Sequence, residues 1–218
     1  MRLYKVFELV GLFVLIPLLF YFDFIPGPKA IPLLVVFLVA LIYLLFSRKF
    51  NRKEFGFNGY SGWRWLLLRM FIATCVVYIL TIIFIPDRLF YLPKNNLHLW
   101  IAIMIFYPIW SAFTQELIYR SFFFYRYKSI FNNEKLMVLF NGILFGFLHI
   151  IFRNWIAVVC TMLVGFYWAS SYSKHRSLML VFVEHAFVGN LLYTFGLGSY
   201  FYVPDFYKTF FKFFLMLQ

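Results

Sequence analysis

The sequence predicts an all-α, polytopic transmembrane helical bundle of about seven to eight spans, and three observations predict it. The 218 residues are 64% hydrophobic and 25% aromatic. Mean hydropathy is +0.85, well above that of soluble domains. Apolar runs near the roughly 20 residues needed to cross the hydrocarbon recur along the chain. Each such helix satisfies its own backbone hydrogen bonds in lipid, which makes a bundle the economical architecture.

The first run, 5–22, follows a basic start as a signal peptide does. Its apolar stretch is too long and no small-residue cleavage site follows, so it reads as a retained helix. Further runs cover 30–46, 65–85, 98–125, 136–152, 155–172 and 177–195. Between them stand DFIPGPK, SRKFNRKEFGFNGYSGWR, PDRLFYLPKNN, YKSIFNNEK, a tight RN and SKHR, stretches of turn formers and charge. The tail, 199–218, carries Lys208 and Lys212 one turn apart; it either lies along the interface or forms an eighth, partial span. No repeat, low-complexity segment or long linker divides the chain. It reads as one membrane domain over 1–218, with N-terminal helices over 1–96 that carry no signature and a core over 97–200.

The formal charge of +12 is distributed between the apolar runs rather than in one patch, which argues for membrane topology and against a nucleic-acid partner. Alternate loops are unequal. Arg2, Lys5, Arg48, Lys49, Arg52, Lys53, Arg64, Arg126, Lys128, Lys135, Lys174 and Arg176 fall on one side, and only Lys29, Arg88, Lys94 and Arg153 on the other. That imbalance puts the N-terminus in the cytoplasm of a multi-pass cell-membrane protein. Cys75 and Cys160 lie in apolar runs without CxxC spacing, so neither a disulfide nor a cysteine metal site is expected.

An ionisable group in a span costs at least about 2.5 kcal/mol and requires a reason. Glu8, Arg69, Glu116, Arg120, His149, Glu184 and His185 are such groups, with Gln115, Asn141 and Asn190 as neutral companions. Counted at 1.5 Å per residue from the basic loops, Glu116 lies roughly 15–18 Å deep, His149 roughly 21 Å and His185 roughly 14–17 Å. A carboxylate and two imidazoles on three helices at one level are the raw material of water activation. They are also a potential zinc site with water in the fourth position, although no HExxH is present. A proton relay is a third use, which the lack of an internal repeat disfavours. Glu116 and Arg120, at i and i+4, share a face and pair for packing, chemistry or both. Arg69 is expected to snorkel to the interface, and Glu8 is near enough to the edge to need no function. The aromatic run SFFFYRY is expected to meet lipid and anchor at the interface. Asn190 either donates to an oxyanion or joins helices.

At these residues the chain resembles the CAAX-processing and bacteriocin-immunity-related (CPBP) family of glutamic-type intramembrane proteases. That pattern is Glu-Glu-x-x-x-Arg, then Phe-x-x-x-His, then a last helix with His and a nearby Asn. QELIYR at 115–120, FGFLH at 145–149 and HAFVGN at 185–190 match it in order, over roughly 97–200. The resemblance implies an intramembrane endopeptidase that hydrolyses a membrane-associated peptide or protein with activated water, without a cofactor. It implies catalytic roles for Glu116, His149 and His185, and transition-state or structural support from Gln115, Arg120 and Asn190. The sequence departs from the pattern twice. Gln115 replaces the first glutamate, and an amide cannot take a proton at neutral pH. Asn190 stands five residues after His185, and Gly189 occupies the expected place. Either Glu116 serves through a local distortion of the helix, or the protein is a non-catalytic relative that binds membrane peptides.

Overall fold

The structure, a computed structural model, describes residues 2–25 and 30–201. Among the described residues six helices are long and apolar enough to cross a membrane, and a shorter apolar one joins them. In chain order they are α1 (Leu3–Tyr21), the shorter α2 (Ala30–Phe46), α3 (Trp63–Phe84), α4 (Leu97–Arg126), α5 (Glu134–Phe152), α6 (Trp155–His175) and α7 (Leu178–Phe195). No strand occurs among the described residues. The chain is thus an all-α, multi-pass membrane bundle. The expectation of a partial eighth span falls mostly on 202–218, outside the described residues.

The helix starts follow from side-chain caps. Asn96, Asn133, Asn154 and Ser177 each accept a bond from a backbone N–H of the first turn of α4, α5, α6 and α7, at 3.0, 2.8, 3.0 and 3.1 Å. Each satisfies a donor that would otherwise be orphaned at a helix start. Arg153 and Arg176, both left-handed, turn the chain sharply before α6 and α7.

The basic loops gather at one end of the bundle. Lys5 donates to the Arg126 carbonyl at 3.1 Å, Arg176 pairs with Glu134, and Asn58 donates to the His175 carbonyl at 3.3 Å. At the opposite end Arg153 pairs with Asp23 and donates to the Tyr21 carbonyl at 2.8 Å.

The long helix α4 is the centre. From Leu117 to Phe124 every side chain is buried, including Arg120, and Tyr127 beyond it is buried as well. Phe13 of α1 packs edge-on against Tyr119, Phe123 and Tyr127, with centroids 5.0, 5.4 and 6.0 Å apart. The aromatic run therefore faces protein rather than lipid, contrary to the sequence expectation. Lipid tails are as apolar as the core, so apolarity alone does not say which way a membrane helix turns its aromatics.

Arg69 also corrects an expectation. Its Nε donates to Glu184 Oε1 at 2.6 Å and its Nη2 to the Tyr60 hydroxyl at 3.3 Å, so it ties α3 to α7 instead of snorkelling. Glu8 is engaged too, by Arg126 at 2.9 and 2.6 Å and by the Tyr127 hydroxyl at 3.0 Å.

Helices α5 and α6 pack closely through glycines. A Cβ at Gly146 would lie 2.5 Å from Met162 Cβ and 2.9 Å from the Val158 carbonyl oxygen, and one at Gly142 only 2.0 Å from the Phe166 ring. Spaced four apart on one face, they let the two backbones approach as small residues do in membrane helix pairs.

Candidate active site

Thr114, Gln115 and Glu116 form a short α-helical turn inside α4, between π-helical turns at Pro108–Phe113 and Leu117–Phe122. Each π turn carries an extra residue and redirects the side chains around it. Gln115 and Glu116 occupy adjacent positions of the α-helical turn between them. Gln115 lines a cavity, and Glu116 stands behind it, fully buried.

Glu116 Oε1 meets His185 Nδ1 of α7 at 2.8 Å, and Oε2 lies 3.1 Å from Arg120 Nε without the alignment of a hydrogen bond. Arg120 is held by Asn141 Oδ1 of α5, and the Asn141 amide donates to the Tyr119 carbonyl at 2.6 Å. The guanidinium also sits 4.9 Å from the Phe145 ring centroid. Burying a charge is tolerated only when it is paired and hydrogen-bonded, and Arg120 and Glu116 neutralise each other here.

A carboxylate accepts and does not donate, so His185 Nδ1 carries the hydrogen of this bond, and in the neutral imidazole Nε2 keeps the lone pair. Trp168 of α6 stacks on the imidazole at 4.4 Å with an interplanar angle of 21°, fixing the ring plane. His149 ends the α-helical part of α5, where a 3-10 turn begins. Its Nδ1 bonds the Phe145 carbonyl at 2.8 Å, and a carbonyl only accepts, so Nε2 is again the free acceptor. Both imidazoles pack on Phe145, with centroids 5.2 Å from it for His149 and 5.8 Å for His185.

Gln115, His149 and His185 line one cavity of about 980 Å³. The Gln115 amide donates to Ser111 Oγ at 2.8 Å, while its Oε1 is buried without a hydrogen-bond partner among the described residues. Asn190 does not join them. Its amide donates to the Met104 carbonyl at 3.3 Å, so it joins α7 to α4, and it is not part of the cavity wall. A Cβ at Gly189, the residue at the expected place, would collide with the Tyr107 ring at 2.1 Å. Among the described residues no three His, Cys, Asp or Glu side chains form a group able to hold a metal, and Glu116 is already engaged by His185 and Arg120.

Sequence reasoning singled out Glu116, Arg120, His149 and His185; the last three pack on Phe145, and Glu116 meets Arg120 and His185. It missed Ser111 and Trp168. Ser111 was legible as the i−4 neighbour of Gln115; Trp168 carries no polar mark and emerges only from packing. Glu184, one residue before His185, turns to Arg69 and to the Tyr167 hydroxyl at 3.4 Å.

The fold and site define a multi-pass membrane protein with a carboxylate–histidine pair buried at its centre beside an apolar cavity. Compared with known families, residues 96–192 match the Rce1-like family, described as Type II CAAX prenyl endopeptidase Rce1-like. The matched stretch carries all three motifs and supports the resemblance to the CPBP family of CAAX-type membrane proteases. No curated protein and no solved structure matches the chain.

Proposed function

We propose that the protein is an intramembrane endopeptidase in which the Glu116–His185 pair, together with His149, activates water against a peptide bond of a membrane-associated substrate. The 2.8 Å bond from His185 Nδ1 to the fully buried Glu116 carries this reading. It leaves Nε2 as a base in a ring held by a carboxylate on one side and an indole on its face.

In the reaction the water oxygen attacks the scissile carbonyl carbon while His185 Nε2 takes one water proton. His149 Nε2 accepts the second water hydrogen in a hydrogen bond and so aims the oxygen. When the C–N bond breaks, the imidazolium returns its proton to the leaving nitrogen, and Glu116, backed by Arg120, stabilises the transient positive ring. Gln115 takes no proton in this scheme, which is how hydrolysis survives without the first glutamate. The N-terminus and the basic end of the bundle lie in the cytoplasm under the positive-inside rule.

The test uses purified full-length protein and a quenched apolar peptide. Replacing His185 by Ala, His149 by Ala or Glu116 by Gln lowers turnover by about a hundredfold or more, in line with the loss of general-base catalysis. One specific observation favours a second reading, a non-catalytic peptide-binding relative: Gln115 stands where the family places its base. Under that reading no variant changes turnover, because the parent protein has none.

A further inference from the structure

The 980 Å³ cavity has a direction and a lining that the reaction does not explain. Among the described residues no Asp, Glu, Lys or Arg lines it. Ser111, Gln115, His149 and His185 stand at its inner end, and its far wall includes Phe84, Phe152, Ile156, Leu197 and Tyr200. Those residues border the end that carries Arg153 and the Asn154 bond to the Tyr200 carbonyl at 3.3 Å, not the end where the basic loops gather. The cavity thus runs from the site toward the charge-poor end of the bundle.

At its floor, Gln115 is 8% exposed. Its amide nitrogen is fixed by Ser111, which orients the carbonyl, and Oε1 is left buried without a partner among the described residues. A buried acceptor without a donor costs about 1–3 kcal/mol. An acyl or isoprenoid chain brings no donor to it. A peptide backbone brings an N–H at every residue except proline.

Resting on the endopeptidase reading, we infer that the cavity receives an uncharged, apolar peptide segment from the end opposite the basic loops, and that Gln115 Oε1 accepts a backbone N–H of that segment. Gln115 is then a substrate-positioning residue. The exchange of carboxylate for amide at this position replaces a proton acceptor by a hydrogen-bond acceptor for the substrate. A charged side chain on the segment would enter the cavity without a counter-charge and is selected against.

Cys160 lines the cavity and provides the readout. In full-length Cys75→Ser protein, the rate of Cys160 alkylation by a small maleimide is followed with a blocked hexapeptide of Leu, Val and Ala. Companion peptides carry a central Lys or N-methylated amides, and an acyl-chain amphiphile is the lipid probe. The apolar peptide is expected to slow alkylation tenfold or more at saturation, and the Lys peptide not to. Gln115→Met raises the half-protecting concentration about three- to tenfold, the worth of one hydrogen bond. N-methylation at one position does the same to the parent and adds nothing to Gln115→Met. Unprotected alkylation at the parent's rate shows that the variant is folded.

Sidedness is read separately in sealed vesicles, with a cysteine placed by Tyr200→Cys or Asn58→Cys in a background lacking Cys75 and Cys160. An impermeant maleimide is expected to reach the two from opposite faces. The inference is overturned if the Lys peptide protects equally, if only the acyl chain protects, if the effects of Gln115→Met and N-methylation add, or if both cysteines label from one face. Hydrolysis of the same peptide is followed in parallel. Protection without hydrolysis supports this inference and sinks the endopeptidase reading, whereas hydrolysis without protection does the reverse.

Discussion

Arg120 is the largest fully buried side chain among the described residues, and its charge rests on two groups, Glu116 and Asn141. Removing one partner of a buried ion pair strands the other, at a cost of about 3–5 kcal/mol, while replacing both by apolar groups is often neutral. Arg120→Met alone should therefore destabilise the protein by that amount, and Arg120→Met combined with Glu116→Leu by much less. Thermal unfolding in detergent measures both, and equal losses in the two would show that the pair is not coupled. The same residues mark what the sequence made legible. Counting depth from the basic loops brings Glu116, His149 and His185 to one level because a membrane fixes the vertical coordinate of every residue in a span. It leaves the rotation of each helix open. Arg69 was for that reason placed at the interface and not beside Glu184, and Asn190 was left between an oxyanion role and the joining of helices.

At the scale of elements, the spans were legible with boundaries close to those of α1 to α7, since length and hydropathy determine them. The π turns of α4 were not, because nothing in PIWSAF or LIYRSF distinguishes an i→i+5 turn from an ordinary one until tertiary packing selects it. The close approach of α5 and α6 was legible in principle, from glycines four apart in NGILFG. Its tolerance differs by position. The obstacle at Gly142 is a side chain, the half-buried Phe166 ring, whereas at Gly146 it includes backbone, the Val158 carbonyl and the Met162 Cα. Gly146→Ala should thus cost about 1–3 kcal/mol as overpacking, and Gly142→Ala less. Unfolding midpoints of the two variants check the order. Both displacements would also move Phe145, the platform of the two imidazoles, since Phe145 packs on Gly165 across the same interface. Turnover should accordingly fall more in Gly146→Ala than in Gly142→Ala.

At the scale of the whole molecule, the N-terminal helices carry no motif yet form part of the wall around α4. Phe13 is in the aromatic core, and Glu8 binds Arg126 through both carboxylate oxygens and Tyr127 through one. Arg126 is further held by the Tyr43 hydroxyl of α2 at 3.1 Å, so three helices meet at one guanidinium at the basic end. A bidentate pair with about three quarters of each side chain covered is worth more than a surface bridge, on the order of 1–3 kcal/mol. Glu8→Gln should lower stability by that amount. If 1–96 and 97–200 act as one cooperative unit, a single transition shifts, and the circular-dichroism midpoint moves together with the temperature at which a thiol placed at the buried position 169 by Ala169→Cys, in a background lacking Cys75 and Cys160, becomes reactive. Were the N-terminal helices a separate unit, Glu8→Gln would split the transition, with helix loss at the lower temperature and the thiol at 169 unaffected until the higher one. The prediction of one transition rests on Phe13 and Glu8 together: the first ties α1 to the last turns of α4 by packing, the second to its end by charge, and a helix held by both cannot leave without exposing the core.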